Sequence, residues 1–472
     1  MTIAQLITEA KALLGANAVI TDPAQMPQYV TSMRNRTVHT VPLVAMPQTV
    51  AQVSELVGLC NKHRVAIIPQ GGNTGLVDGG LPHRDADQVI VNLSRMNKIR
   101  DIDTVGLIAT VEAGVILQTF HETLAAQGLM FPLSIASEGS AEIGGLISTN
   151  AGGQSALRYG IMRNQVLDVE VVLPSGEIIS GLKTLVKDNT GYHLASYFVG
   201  AEGTLGIVTA ATLRLLPALR QKVTAVVAVP DIPSALDLLS VFRREGIEHL
   251  STFEFMSLSA LQLVMKNIHG SRFPGNTQNA PYYLLIELSA SSELTPLQDL
   301  FESVIAPALE NGQALDAALA ANETQAAQFW HAREHISEAL RSEKQRLHFD
   351  IALPLKSLAD FLVETGAMIQ AEFPHIVLMP FGHIGDGNVH YNMYTLEGLS
   401  TDAFAAMKAR IQDIVFSAVH REQGSISAEH GVGIERKEVL LKVKSAVDID
   451  LMRAIKRAID PEGLMNPGKI FD

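Results

Sequence analysis

The sequence predicts an α+β protein of two or three domains, and three observations carry that prediction. At 472 residues the chain is too long for a single hydrophobic core. From residue 40 to 217, short β-rich runs alternate with dense glycine turns; from 218, strands alternate with helices; after 400 the periodicity is mostly helical. A composition of 47% hydrophobic and 18% charged residues suits packed domains and not a disordered chain. The expected domains are 1–217, 218–410 and 411–472, the last a helical segment packing back on the first.

The elements can be taken in chain order. Helical periodicity opens the chain in IAQLITEAKALLG. The first domain draws its strands from RVAIIPQGG, QVIVNLS, LIATVEAGV, VLDVEVVLPSGEII and LGIVTAATLRLLP. Glycine so dense between strands marks backbone packed close to a ligand. In the second domain, QKVTAVVAV and TFEFMS bracket a helix in SALDLLSVFRREG. YYLLIELSA then precedes a polar helical stretch over 294–345 and the strand RLHFDIALPL. That spacing predicts an α+β sheet covered on one face by helices. The helices TDAFAAMKARIQDIVFSAVHREQ and VLLKVKSAVDIDLMRAIKRAID close the pattern, followed by PEGLMNPGKIFD.

Several classes are disfavoured at once. A formal charge of −13 argues against nucleic acid, whose phosphates demand a basic surface. No uncharged apolar run reaches the ~18 residues of a membrane-spanning helix. Residues 1–15 carry Glu9 and Lys11 in an amphipathic pattern and lack the basic start and cleavage site of a signal peptide. The single cysteine, Cys60, rules out an internal disulfide, a Cys-ligated iron–sulfur cluster and a Cys-rich zinc module, and reads as a buried apolar residue. A reducing, cytoplasmic location follows.

Three stretches concentrate the glycine: PQGGNTG (69–75), SEGSAEIGGLISTNAGGQSALRYG (137–160) and DNTGYHLASYFVGAEGTLGIVT (188–209). Any one alone reads equally well as a turn. Together they supply the small residues and amide N–H groups that suit wrapping a pyrophosphate. No G-x-G-x-x-G follows a strand, which disfavours a Rossmann nicotinamide site. PQGGNTGL, IGG…STNAGG…RYG, GAEGTLGIVT and the late NPGKI resemble the vanillyl-alcohol oxidase/p-cresol methylhydroxylase flavoproteins. Nearly the whole chain resembles their D-2-hydroxyacid dehydrogenase branch, which includes D-2-hydroxyglutarate and D-lactate dehydrogenases and the glycolate oxidase flavin subunit.

That resemblance implies a two-part FAD-binding domain, an α+β substrate domain with a helix-covered sheet, and the helical C-terminal segment. It assigns Gln70, Gly71, Gly72, Asn73, Thr74 and Gly75 to the FAD pyrophosphate. It sets Pro132, Ser140, Gly144, Gly145, Asn150, Gly152, Gly153, Glu202, Ile207 and Asn466 against the cofactor. Asn73 stands where covalent members carry the flavin-linked histidine, so the FAD is expected to be dissociable. Asp78 departs from the glycine usual in relatives, and a carboxylate there should weaken pyrophosphate binding unless it points away.

FGHIGDGNVHYN (381–392) places His383 and His390 around a Gly-Asp-Gly-Asn core. A separation of seven puts two side chains on opposite faces of a flat strand. Gly385 and Gly387 allow a bend that brings both rings together. SAEHGVG (427–433) adds Glu429 and His430 in an expected strand-to-glycine turn. Two imidazoles and one carboxylate make a three-ligand site with open positions, as catalytic zinc prefers. In the family resembled, the matching residues bind a divalent metal, usually zinc, and the residue matching His430 contacts the substrate hydroxyl. Manganese, cobalt or iron suit a His₂Glu site as well. Asp386 is an alternative ligand but reads rather as a turn-forming or supporting residue. His430 is the expected general base, with hydride leaving C2 for the flavin.

WHAREHISEAL (330–340) offers Arg333, whose fork can clamp a carboxylate and which matches the family's W-x-x-R-E motif. Its helical neighbours Phe329, Trp330, Ile336 and Ser337 cannot pair with it by charge. In hydroxyglutarate-oxidising relatives a threonine and a lysine complete the pocket. Ser337 and His348 are their counterparts here, and Arg346 is a candidate replacement for the lysine's charge. Asn392 matches a retained substrate contact. The resemblance therefore implies a D-2-hydroxyacid substrate, D-2-hydroxyglutarate ahead of D-lactate or D-malate. It also implies a homodimer and a separate electron acceptor, an electron-transfer flavoprotein or a quinone. Two other classes compete: a flavin subunit of a glycolate oxidase-type complex, and a catalytically silent flavin- or metal-binding protein.

Overall fold

A computed structural model describes residues 3–33, 39–83, 88–275 and 277–471. The chain divides into two compact units: Met1–Gly153 with Gly160–Ala218 and Glu429–Asp472, and Gln154–Tyr159 with Leu219–Ala428. The division at 218/219 lies one residue from the expected boundary. The expected boundary at 410/411 falls inside a helix, Thr401–Arg421, so 411–428 stays with the second unit.

The first unit opens with a helix, Ile3–Leu14, and a four-stranded sheet. Its strands are β1 (Val19–Ile20), β2 (Val44–Ala45), β3 (Ala66–Gln70) and β4 (Gln88–Asn92), in the order β1-β2-β4-β3. β4 runs parallel to both β2 and β3. The crossover from β2 to β3 is the helix Val50–His63, capped where Thr49 accepts from the Gln52 N–H. Its apolar face, Val53, Leu56, Val57 and Cys60, is fully buried with Leu6, Ala10 and the sheet. Burial pushes the Cys60 thiol up to about 12, consistent with an inert core residue. The outer edge of β3 is covered late in the sequence: Ile67 N–H donates to Leu464 O, and Asn466 N–H donates to Ile67 O.

Next come β5 (Ile99–Asp103), β6 (Ile108–Glu112), β7 (Leu129–Met130), β8 (Val166–Val172), β9 (Ile178–Ser180), β10 (Ile207–Arg214) and β11 (Leu216–Pro217). Five of them form an antiparallel sheet in the order β5-β6-β10-β8-β9, while β7 pairs with β11. The glycine segments are the connections: the short helix Ile143–Thr149 interrupts the second, and the third leads into β10.

The second unit contains β12 (Gln221–Val229), β13 (Leu250–Ser257), β14 (Tyr282–Ala290), β15 (Asp316–Leu319), β16 (Arg346–Leu347), β17 (Asp350–Ala352), β18 (Ile376–Gly382) and β19 (Asn388–Thr395). They form one antiparallel sheet, β15-β12-β14-β13-β18-β19-β16, with β17 also paired to β19. The sheet buries both faces, not the single face expected. Met256, Tyr283 and Leu285 pack against residues from helices Leu258–Asn267 and Glu323–Glu334. On the opposite parity, Phe253 meets Phe242 of the helix Ile232–Gly246, which in turn stacks on Phe301 of Leu297–Glu310. Alternate residues of fully buried β13 therefore serve two cores.

Three local expectations need correction. The polar stretch 294–345 contains edge strand β15, whose DAAL sequence lacks β-branched residues and is carried by pairing with β12. RLHFDIALPL is not one strand but β16 and β17. The helix expected over 439–460 breaks into Lys437–Val443 and Ala446–Ile459, because Ser445 caps the second by accepting from Asp448 N–H.

Candidate active site

The first unit's glycine segments approach one another backbone to backbone. A Cβ on Gly72 would lie 1.9 Å from Ser140 O, and one on Gly153 2.0 Å from Ser134 O. Side chains assigned to the cofactor hold this cradle's shape. Gln70 donates to Tyr29 O and Gly80 O, and Asn92 donates to Gly71 O. Asn73, at φ 53°, donates to Gln28 O and Thr31 O. Asn150 caps the helix Ile143–Thr149 at φ 51°, and Asn466 donates to Gly79 O and Glu202 O.

Buried polar atoms in the same unit lack protein partners among the described residues: Glu142 Oε2, Asn466 Oδ1 and Lys469 Nζ. Glu142 Oε2 lies 3.2 Å from a Cβ built on Gly71, and burial raises its carboxyl to about 8. Its carboxyl faces the first glycine loop. Lys469 is 2% exposed; burial, with Lys437 nearby, lowers its ammonium to about 7, opposed by Glu202 and Asp78. Asp78 is one of the two carboxylates that oppose this lowering. Small residues, close backbones and polar groups awaiting partners fit a flavin dinucleotide.

Glu202 reaches further along the unit. Its carboxylate accepts from Val432 N–H and Gly433 N–H, both at 2.7 Å. Burial raises it while these amides oppose the shift. It clamps the EHGVG turn that carries His430, whose Nδ1 lies 3.4 Å from Arg436 Nη2. A contact that long does not fix the imidazole tautomer. The turn itself is not entered from a strand: only an isolated bridge, Ala352 to Ser425, precedes it.

The second unit explains the histidine spacing differently from a bent strand. His390 lies in β19 and His383 just past β18, on a hairpin in which Phe381 pairs with His390. The reversal uses Gly382 at φ 141° and Gly387 at φ 87°; a Cβ on Gly387 would meet Leu353 O at 2.3 Å. Gly385 keeps a negative φ and is small for a packing reason, since a Cβ would sit 2.8 Å from Leu157 Cδ2. Asp386 forms the turn by accepting from Asn388 N–H. The two imidazoles end edge to face, with centroids 5.5 Å apart.

The chain leaves this unit at Ala428, whose N–H donates to Asp350 O, so the second unit's own backbone places Glu429 as the next residue. One ligand atom from each of His383, His390 and Glu429 falls within 4.8 Å of the others. Two nitrogens and a carboxylate oxygen at this spacing fit a divalent ion with open positions.

Arg333 is 8% exposed and its partner is not on its own helix. Nε and Nη2 both donate to Glu254 Oε2 on β13, at 2.8 and 2.6 Å, while the guanidinium carbon lies 4.9 Å from the Phe381 ring centroid. The other Glu254 oxygen accepts from His383 Nδ1 at 2.5 Å. Burial opposes ionisation of Glu254, but His383 and Arg333 hold it at about 2. Asn392 is buried two residues beyond His390 on the same strand face. Ser337 and His348 are exposed, and Arg346 donates to the carbonyls of Arg341 and Glu343. Sequence reasoning missed Glu254, Glu142 and Lys469. The signal for Glu254 was a lone acid inside the apolar run TFEFMS, since a buried carboxylate needs a partner.

Known proteins match this chain over nearly all of its length. The family model for an FAD binding domain matches residues 41–181, and that for FAD linked oxidases, C-terminal domain, matches 218–470. The D-2-hydroxyglutarate dehydrogenase of Stutzerimonas stutzeri is 35% identical over 473 residues, covering 100% of both chains. The mitochondrial D-2-hydroxyglutarate dehydrogenase of Arabidopsis thaliana is 35% identical over 461 residues, covering 98% of this chain and 80% of its own. Among solved structures, p-cresol methylhydroxylase with substrate bound aligns at a TM-score of 0.75 and 18% identity, over 99% of this chain and 97% of that one. So low an identity speaks for the fold alone.

Proposed function

The chain belongs to the FAD-linked oxidases, and on that premise we propose a FAD- and divalent-metal-dependent dehydrogenase that oxidises a D-2-hydroxyacid, D-2-hydroxyglutarate first, to the 2-oxoacid. The observation that carries the reading is the convergence of His383, His390 and Glu429, with His430 next in the chain. When bound, the flavin accepts the C2 hydride and the ion acidifies the substrate hydroxyl. His383, His390 and Glu429 hold the ion, and Asn392 and Arg333 orient the acid. His430 removes the hydroxyl proton as C2 loses hydride, so two electrons and two protons leave in all, one proton to His430 and the other with the hydride, and a ketone remains. A separate carrier, an electron-transfer flavoprotein or a quinone, would be the electron acceptor.

A screen of D-2-hydroxyacids with an artificial dye acceptor tests this reading. Turnover of the isolated chain on D-2-hydroxyglutarate is expected; no turnover on any member of the series overturns it. One observation favours the monocarboxylate D-lactate over the dicarboxylates D-2-hydroxyglutarate and D-malate: Arg346 is engaged by carbonyls and His348 carries no permanent charge, so a second carboxylate has fewer cations to meet.

Arg333 separates the two. Arg333→Ala would leave Glu254 buried without its cation, at a cost of roughly 3–5 kcal/mol. Arg333→Lys keeps the charge and removes the fork. Losing one charge-assisted bond of ~1.5–3 kcal/mol predicts a 10- to 150-fold drop in kcat/KM for the dicarboxylate and little change for lactate. Equal losses on both would assign Arg333 to the shared C1 carboxylate.

The flavin is proposed to be non-covalent, because Asn73 offers an amide already bonded to two carbonyls where attachment needs a nucleophile. Acid precipitation should leave yellow FAD in the supernatant. Colour retained in the washed pellet would contradict that.

A further inference from the structure

Glu254 is 1% exposed, sits mid-strand in the second unit and is shared oxygen by oxygen. Oε1 accepts from His383 Nδ1, and Oε2 accepts from Arg333 Nε and Nη2. We infer that Glu254 is a positioning residue that couples the metal-binding imidazole of His383 to the substrate-binding guanidinium of Arg333. This rests on the reading given under Proposed function.

The chemistry follows from the two ends of one carboxylate. An acceptor on Nδ1 holds the proton there, so the His383 lone pair is on Nε2, directed by a ring that cannot rotate without breaking a buried bond. At the other end, the Nε–Nη2 edge of Arg333 is occupied by Glu254, and the face of the guanidinium is backed by Phe381. That leaves Nη1, with the far side of Nη2, as the part of the fork available to a ligand. Glu254 therefore fixes the offset between the metal corner and the cation that reads a carboxylate. A rigid offset of this kind selects acids by the distance between their hydroxyl end and their carboxylate.

Glu254→Gln is nearly isosteric and dismantles the arrangement. A carboxamide offers one acceptor and one donor: if its oxygen faces Arg333, its NH₂ faces His383 Nδ1 and forces the proton onto Nε2, which cannot then ligate. The FAD-loaded enzyme, stripped with chelator and titrated with Zn²⁺, should bind about 10- to 100-fold more weakly in the variant. Flavin content should match wild type, and KM should rise more for D-2-hydroxyglutarate than for D-lactate. Zinc affinity equal to wild type overturns the role of Glu254 while leaving the metal reading intact. Wild-type enzyme that takes up no zinc overturns the metal reading and this inference with it. If Glu254→Gln does not fold, Glu254→Asp decides. It keeps both acceptor oxygens one methylene short, so zinc affinity between wild type and a His383→Ala variant is expected, and undiminished affinity refutes the coupling.

Discussion

Chelator treatment of the purified protein is expected to abolish turnover while leaving the flavin absorbance spectrum in place. The proposed ligand set His383, His390 and Glu429 shares no residue with the glycine segments that fit the flavin. Without the ion His430 would have to take the proton from a hydroxyl of ordinary acidity, whereas a bound divalent ion lowers the pKa of even water from 15.7 to about 7. Several kcal/mol of charge stabilisation disappear, and about 4 kcal/mol is already roughly 10³-fold in rate. Readdition of zinc, manganese or cobalt should restore activity to different degrees, which identifies the preferred ion. Full turnover in protein shown by elemental analysis to be metal-free would remove the metal from the mechanism.

His430→Ala should lower kcat by roughly 10²–10⁴-fold, the range for loss of a general base. Metal content should not change, because His430 lies outside the three-residue cluster. Nor should the fold suffer: the turn that carries His430 is clamped through the amides of Val432 and Gly433 onto Glu202, and those bonds do not involve the imidazole. The variant should also lose the acidic limb of the wild-type pH–rate profile if proton transfer is what it has lost. A variant that loses zinc along with activity would make His430 a ligand and not the base.

How much of this was legible beforehand depends on the range of the interaction. The glycine segments declared the flavin cradle because the requirement they meet, backbone within 2 Å of where a side chain would stand, is local and only glycine satisfies it. The His383–His390 pair was legible, but the reason for it was not. A period-two argument holds only inside one strand, and these residues belong to two sides of a hairpin reversed at Gly382 and Gly387. Arg333 has no charged partner among its helical neighbours; its carboxylate comes from β13, 79 residues away in sequence. Strand β15 was hidden for a similar reason, since DAAL has no intrinsic preference for a strand and pairs only because β12 is already there.

The late closure of β3 has a consequence for synthesis. Ile67 leaves the ribosome about 400 residues ahead of the partners that cap its strand edge, Leu464 and Asn466. At ~5–20 residues per second, that edge waits roughly 20–80 seconds with its amides and carbonyls unpaired. The second unit, complete once Ala428 has emerged, is under no such delay. Expression yield should therefore depend on holding a nascent sheet edge away from other nascent chains. Shortening the segment 460–471 should shift the protein towards inclusion bodies and, because it carries Asn466 and Lys469, lower the FAD content of whatever stays soluble.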